Sequence, residues 1–136
     1  MKVVLDDGAF IPERAHEADA GFDIRSPISK FIFAHDSAVI DSGVHIEIPK
    51  GFVGFLKSKS GLNVKHGLTS EGVIDSGYTG SIRVKLYNNS SEMYKVERGD
   101  KITQLVILPI LTPDIEVVES LEETERGNNG FGSTGK

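Results

Sequence analysis

Short apolar runs separated by turn residues constrain the fold of this chain more than any other feature. The runs contain many β-branched and aromatic residues, and Gly, Pro, Asn or Asp residues lie between them. They cover residues 3–5, 31–33, 38–40, 44–48, 52–56, 82–87, 102–108 and 115–118. No window has the period of a long amphipathic helix; one short helix is predicted over residues 61–67, with Ser60 as its cap and Gly67 as its end. Many short strands at this spacing predict an all-β sandwich or barrel with antiparallel pairing.

The composition excludes several classes of protein. With 136 residues, the length fits one domain that has its own core. A net charge of −5 argues against a general nucleic-acid or membrane surface. The chain has no cysteine, which excludes disulfides, thiolate nucleophiles and cysteine-based metal sites, and its four histidines lack metal-ligand spacing. The first residues lack the apolar core of a signal peptide and no run could span a membrane, so we expect a soluble cytoplasmic protein.

The stretch from Gly72 to Ser81 carries the strongest local signal for a ligand site. It places one carboxylate, Asp75, and one phenol, Tyr78, between glycines, and an alternating run follows it. We expect a hairpin in which Gly77 is free to adopt a positive φ. Glycines would let the backbone approach a flat ligand. Taken alone, the same string is more typical of a hairpin that only turns the chain.

The composition changes after residue 122. The last segment, residues 123–136, is rich in Gly, Ser and Asn and has a single large apolar side chain, Phe131. Such a segment cannot form a packed core, so we expect a β-rich core over residues 1–122 and a mobile arm over residues 123–136. A frayed terminus is the simpler interpretation. Arg126 with Ser133, Thr134 and glycine amides could instead cradle an anion while Phe131 stacks on a ring, which is what a lid would do.

Five stretches, taken in order, resemble the five motifs of the trimeric deoxyuridine triphosphate nucleotidohydrolase (dUTPase) family. They are residues 20–24 (AGFDI), 59–62 (KSGL), 72–80 (GVIDSGYTG) followed by 87–88 (YN), 99–105 (GDKITQL) and 126–135 (RGNNGFGSTG). Four positions depart from the family pattern. Phe22 stands where the family usually has Tyr, Lys59 and Lys101 where it has Arg, and Asn129 where it has Gly.

This resemblance implies a jelly-roll-like β-sandwich that assembles into a homotrimer with its active sites between subunits. The C-terminal arm of one chain would close over a site built mainly by the others. The implied reaction splits dUTP between the α and β phosphates, giving dUMP and pyrophosphate with Mg²⁺. It would limit uracil in DNA and supply dUMP for dTMP synthesis.

The resemblance also implies roles for residues of the glycine-bounded stretch. Asp75 would activate the attacking water as a general base. Tyr78 would pack under the deoxyribose and leave no room for a 2′-hydroxyl. The backbone at Gly72, Ile74 and Gly80 would read the uracil edge, and cytosine would leave a polar group unpaired there.

The remaining motifs imply contacts with the triphosphate and the metal. Asp23 would help to hold the water shell of Mg²⁺, an ion commonly bound through substrate phosphates and waters. Phosphate contacts fall on the second and fourth motifs, at Lys59, Ser60, Gly61 and Gln104. Lysine keeps the charge of the usual arginine but loses its bidentate fork.

The arm would complete the site. Arg126 matches the residue that clamps the γ-phosphate, and Phe131 matches the residue that stacks over uracil. Gly132, Ser133 and Thr134 would lie beside the phosphates.

Two other functions stay open at this point. A deoxycytidine triphosphate deaminase would share the fold, but that chemistry needs an acidic residue that the run over residues 82–89 lacks. A trimeric regulatory protein gated by nucleotide, with an unidentified protein partner, is the alternative from a different class.

Overall fold

The computed structural model describes residues 1–130, which form eleven strands and one helix. The strands are β1 (Val3–Leu5), β2 (Gly21–Arg25), β3 (Lys30–Ile32), β4 (Ser37–Asp41), β5 (Val44–Ile46), β6 (Phe52–Lys57), β7 (Leu68–Thr69), β8 (Glu71–Ile74), β9 (Arg83–Asn88), β10 (Tyr94–Val96) and β11 (Lys101–Pro109), and the helix is α1 (Ser60–His66). The predicted all-β class is confirmed.

The strands form four antiparallel sheets. The largest has the order β2-β11-β6-β8, and a three-stranded sheet has the order β4-β9-β7. Two pairs, β1-β5 and β10-β3, complete the set among residues 1–130. Only strand pairs in antiparallel register occur in this part of the chain, which agrees with the predicted sandwich or barrel.

The core contains side chains from both larger sheets. Alternation along β9 buries Val84 and Leu86 and leaves Arg83, Lys85 and Tyr87 exposed. These side chains join the apolar residues of β4 and of the four-stranded sheet in one buried cluster. Each large apolar side chain that is buried contributes about 1.5–3 kcal/mol, so this cluster is what fixes the sheets against each other.

Two strand predictions are wrong. Residues 115–118 form no strand, and Ile115 and Val117 are each 94% exposed. The stretch between β8 and β9 is not a hairpin, because β8 pairs with β6 while β9 pairs with β4 and β7. Both edges of β9 are already occupied, so the stretch instead crosses from one sheet to the other. Gly77 does not adopt the positive φ that we expected.

The helix agrees with the prediction at its end and differs at its start. Gly67 ends α1 in the left-handed region, with φ of 66°, as its lack of a Cβ allows. Ser60 is the first helical residue and not the cap. The cap position falls on Lys59, which makes no side-chain capping hydrogen bond, and the lysine chain is directed elsewhere. Within residues 1–130, no helix has the length and apolar character needed to cross a bilayer.

Candidate active site

A buried carboxylate that pairs with two lysines lies on the edge strand of the four-stranded sheet. Asp23, in the middle of β2, is only 4% exposed. Lys101, the first residue of β11, places Nζ 2.7 Å from Asp23 Oδ2, and Lys59 places Nζ against the other oxygen, Oδ1. The two lysines come from different elements, so the cluster forms only when β2, β11 and the start of α1 are packed together.

The electrostatics of this cluster favour the ionised acid. Burial raises the pKa of Asp23, but the hydrogen bonds and charges of Lys101 and Lys59 together outweigh burial, so the pKa lies below its ordinary value. With both lysines charged, the cluster carries a formal charge of +1. A positive centre of this kind suits an anion such as a phosphate.

Gln104 lies beside the cluster and ties it to the turn before α1. It is the register partner of Asp23 on one side and of Lys57 on the other. Its Nε2 donates a hydrogen bond to the Ser58 carbonyl, at 3.2 Å. A Cβ on Gly21 would lie 2.7 Å from Gln104 Oε1, so the glutamine can occupy this position only because Gly21 has no side chain.

Three buried or half-buried hydroxyl side chains, which the sequence analysis missed, hold the same turn. Ser70 Oγ lies 2.8 Å from Thr103 Oγ1, and Thr103 Oγ1 donates to the Lys57 carbonyl at 3.0 Å. The Ser70 N–H donates to Ser58 Oγ at 2.9 Å. A register shift between Lys101 and Thr103 accompanies this arrangement. Ser58, Ser70 and Thr103 are far apart along the chain, so no local pattern signals such a network.

The loop between β8 and β9 carries the second group of expected site residues. Asp75 is exposed, and its carboxylate makes no hydrogen bond or ion pair with any of the 130 residues described. Its carbonyl accepts a bond from the Tyr78 N–H at 3.0 Å, which closes a turn. The Tyr78 hydroxyl donates to the Ser81 carbonyl at 2.9 Å, so the ring folds back over Gly80. A Cβ on Gly80 would lie 2.6 Å from Tyr78 Cζ.

Other expected residues have more restricted positions. Ile74 is 8% exposed and belongs to the core, so only its backbone can face a ligand. Gly72 lies opposite Leu56, where a Cβ would be 3.1 Å from Leu56 Cδ1. Ser60 and Gly61 open α1, and nothing lies within 4 Å of the position a Gly61 Cβ would take.

The described part of the arm forms a local turn. Arg126 donates from Nε to the Asn129 carbonyl at 3.2 Å, and the Asn129 N–H donates back to the Arg126 carbonyl at 2.9 Å. The expected contacts of Phe131, Gly132, Ser133 and Thr134 lie outside the described residues.

The lysine cluster and the loop are not joined to each other within this chain. Among residues 1–130, no hydrogen bond or ion pair joins Asp75 or Tyr78 to Asp23, Lys59 or Lys101. The structure thus brings Lys59 and Gln104, two of the residues expected to contact phosphate, next to Asp23. It leaves Asp75 and Tyr78 on the loop between β8 and β9.

The donor set around Asp23 fits a magnesium ion only in an outer role. No group of three His, Asp or Glu side chains in the described chain converges to hold a metal. An ionised carboxylate has about four acceptor sites, and the two lysines use two of them, so Asp23 keeps capacity for a metal-bound water. The adjacent ammonium groups disfavour direct ligation of a second cation.

Comparison with known proteins identifies the family that the motifs resemble. The dUTPase family model matches residues 7–135. The deoxyuridine 5′-triphosphate nucleotidohydrolase of Clostridium acetobutylicum is 44% identical over 134 residues, which cover 96% of this chain and 92% of that protein. The corresponding protein of Paramecium bursaria Chlorella virus 1 is 41% identical over 132 residues, covering 96% of this chain and 94% of that protein.

Solved structures of dUTPases have the same fold as this chain. The dUTPase of Staphylococcus bacteriophage 80alpha with dUPNHPP superposes with a TM-score of 0.93 at 35% identity, covering 99% of this chain and 98% of that chain. A variant dUTPase of phage phi11 of S. aureus, described with a structural Mg(II) ion, has a TM-score of 0.82 at 35% identity, covering 90% and 98%. On its motifs, its fold and these matches over nearly its whole length, the chain belongs to the dUTPase family.

Proposed function

We propose that this protein hydrolyses dUTP to dUMP and pyrophosphate. The observation that carries the proposal is Asp75. It is an exposed carboxylate without a partner among residues 1–130, and it sits on a glycine-bounded loop directly after Ile74, the buried last residue of β8. An acid in that position is free to accept a proton from a water molecule, whereas Asp23 is already engaged by two lysines.

In this proposal Asp75 takes the proton of the water that attacks the α-phosphorus. The Lys59–Asp23–Lys101 cluster, with its formal charge of +1, binds the triphosphate, and Gln104 holds the turn that carries Lys59 and Ser60. Magnesium, when bound with the nucleotide, would neutralise phosphate charge, and Asp23 would accept a hydrogen bond from its water shell. Holding the triphosphate in line with the water would supply the effect of orientation.

Selectivity would come from the loop. Tyr78 folds over Gly80 and would occupy the space that a ribose 2′-hydroxyl needs. Backbone groups at Gly72, Ile74 and Gly80 would read the edge of uracil. Their side chains are absent or buried in the core, so only the N–H and C=O groups are offered to a base.

The assembly in this proposal is a homotrimer with sites between subunits. The separation of the cluster from the loop within one subunit supports it, because a complete site would combine parts of two chains. The segment after β11 supports it as well. Leu111, Ile115 and Val117 are at least 93% exposed in one subunit, and apolar side chains in this number are commonly covered by a partner.

The arm would close the site, with Arg126 on the γ-phosphate and Phe131 over uracil. Deletion of residues 126–136 should leave the folded trimer intact, because residues 126–130 are exposed and their hydrogen bonds are local, and should sharply lower turnover. Light scattering measures the mass and pyrophosphate release measures turnover. Full activity of the truncated chain would exclude a lid.

The decisive experiment measures pyrophosphate release from dUTP, UTP, dCTP and dTTP with Mg²⁺. The parent should turn over dUTP selectively, and Asp75→Asn should lose about 10²–10⁴-fold in kcat, the usual contribution of a positioned base. Asp7→Asn is the matched control, since Asp7 is also exposed. Ammonia release from dCTP would identify a deaminase, and nucleotide binding without turnover would favour a nucleotide-gated regulator.

A further inference from the structure

His45 lies behind the loop that carries Asp75 and Tyr78, and none of the motifs includes it. It occupies the centre of β5, where its register partner is Val4 of β1. Its imidazole contacts two groups on opposite sides. Nδ1 lies 2.8 Å from the Thr79 carbonyl oxygen, and Nε2 lies 3.3 Å from a carboxylate oxygen of Asp6.

The contact with Thr79 sets the direction of one peptide group. A carbonyl oxygen can only accept, so Nδ1 must carry the hydrogen and donate it. The Thr79–Gly80 peptide is planar and trans, so its C=O and its N–H point to opposite sides. Because His45 holds the Thr79 carbonyl on the inner side, the Gly80 N–H is directed to the outer side. That N–H donates to no group among residues 1–130.

The two halves of the loop are held very differently. On its second half, Ser81 Oγ bonds to Asp41, and the Ile82 carbonyl accepts from Ser42 Oγ at 2.7 Å. On its first half, the turn bond from Tyr78 to Asp75 is internal to the loop. The bond from His45 to Thr79 is therefore what connects the first half of the loop, which carries Asp75 and Tyr78, to the sheet.

Charged groups surround the imidazole on several sides. Asp6 follows β1, and its own N–H bonds to the Gly43 carbonyl at 2.9 Å, which fixes it next to the ring. Asp41 ends β4 and acts on His45 through its charge, and Lys2 and Glu47 pair with each other nearby at 3.0 Å. The hydrogen bond to Thr79 raises the pKa of His45, burial lowers it, and the Asp6 contact and the two carboxylate charges raise it further, with a net increase.

We infer that His45 is a positioning residue for nucleotide binding, which holds the Thr79 carbonyl so that the Gly80 N–H and the Tyr78 ring face the substrate. This inference rests on the proposed function, since it assumes that the loop receives the nucleoside. His45 does not touch the reacting atoms. Its loss should weaken nucleoside binding far more than it slows the chemical step.

The test compares His45→Ala with His45→Asn. Alanine removes the donor to Thr79, whereas the asparagine side-chain amide can place an N–H near the position of Nδ1 without a charge. With one neutral hydrogen bond removed, His45→Ala should raise KM for dUTP about 3–10-fold with kcat within about twofold of the parent, and His45→Asn should restore most of the KM. His16→Ala is the matched control, because His16 is an exposed histidine whose hydrogen bonds are with Asp19 and not with the loop.

A second measurement separates this inference from the proposed function. Calorimetry with dUMP reports nucleoside binding without hydrolysis, and it should show the same 3–10-fold loss in His45→Ala and recovery in His45→Asn. If the protein does not turn over dUTP but its dUMP affinity falls in His45→Ala and recovers in His45→Asn, the proposed hydrolysis would be overturned and the role of His45 supported. Unchanged KM and unchanged dUMP affinity in a folded His45→Ala protein, or equal losses in both variants, would overturn the role of His45.

Discussion

The Lys59–Asp23–Lys101 cluster and the loop over residues 75–82 show two ways of presenting polar groups on a β scaffold. In the cluster, pairing with β11 on one side, a bridge to Glu13 on the other and two ion pairs fix a carboxylate that is 4% exposed. In the loop, Asp75 is exposed and unpaired among residues 1–130, and support comes from behind, through His45 and Asp41. A buried charge requires partners to be stable, whereas a general base must keep its lone pairs available. The buried aspartate therefore depends on its two lysine partners for stability, whereas the exposed aspartate keeps its oxygens available to accept a proton.

The largest expected difference between the two regions is in stability. Asp23→Asn would leave Lys59 and Lys101 close together without a counter-charge. Breaking a buried pair costs roughly 3–5 kcal/mol, and because both lysines are partly exposed we expect a loss of about 2 kcal/mol in the free energy of unfolding. Asp75→Asn should change it by less than about 0.5 kcal/mol. Chemical denaturation of both variants measures this, and equal losses would remove the distinction.

A pair of glycine substitutions tests packing in the same two regions. Gly21→Ala would place a Cβ 2.7 Å from Gln104 Oε1 and 3.0 Å from Gln104 Cβ, so the glutamine must move away from the Ser58 carbonyl. Overpacking of this kind costs about 1–3 kcal/mol. Gly77→Ala meets nothing within 4 Å and needs no positive φ, so it should be neutral or slightly stabilising. Thermal unfolding of the two variants should separate them; a neutral Gly21→Ala would show that Gln104 is not confined.

Acid pH should test the cluster when the parent is compared with Asp23→Asn, because other acids with a lowered pKa, such as Asp41, are common to both proteins. The folded-state pKa of Asp23 lies below its unfolded value of about 3.8, so the ionised acid stabilises the fold above that pH and the stabilisation is lost as pH falls through the lower, folded pKa. The parent should therefore lose stability more steeply than Asp23→Asn when the pH falls below about 3.8. Denaturation curves at several acid pH values measure the slopes. Parallel slopes would mean that the lysines do not favour the ionised acid.

The smallest expected effect is the pH dependence of the stabilisation by His45. It is lost as the pH rises, whereas the stabilisation by Asp23 is lost as the pH falls. The folded-state pKa of His45 lies above 6.5, so the protonated imidazole stabilises the fold below that pH, and its stabilisation is lost as pH rises through the raised value. His45→Asn should flatten the stability profile above pH 6.5 and leave the acid limb unchanged. An NMR titration of the ring protons gives the pKa directly, and a value at or below 6.5 would contradict the arrangement.

The sequence located most strands but not their partners. The runs that overlap β1, β3, β4, β5, β6, β9 and β11 are rich in residues that favour strands wherever they lie. In contrast, β2 was missed because glycine and aspartate disfavour strands, and β7 because it has only two residues. The strand β10, in which Lys95 separates two strand-favouring residues, was missed as well. Residues 115–118 show the converse. They have strand-like composition but no pairing partner among residues 1–130.

The features of the candidate site likewise divide into those set by neighbouring residues in the sequence and those formed between distant strands. Gly67 as the end of α1 and the Asp75–Tyr78 turn depend on neighbours within a few positions, so local rules find them. The Asp23 cluster, the Ser70–Thr103 contact and the His45–Thr79 bond join residues from separate strands. Motif resemblance selected Asp23, Lys59 and Gln104 individually and indicated nothing about the ion pairs between them.

By itself, the sequence determined that this chain forms short strands, where the glycine-bounded loop falls and which family it resembles, because backbone preference and motif spacing are local properties. Only the tertiary structure decided that β8 and β9 belong to different sheets, that Asp23 is buried between two lysines and that His45 supports the loop. Pairing and burial depend on which distant segments share the core, and that choice is made by the free energy of the whole packed molecule.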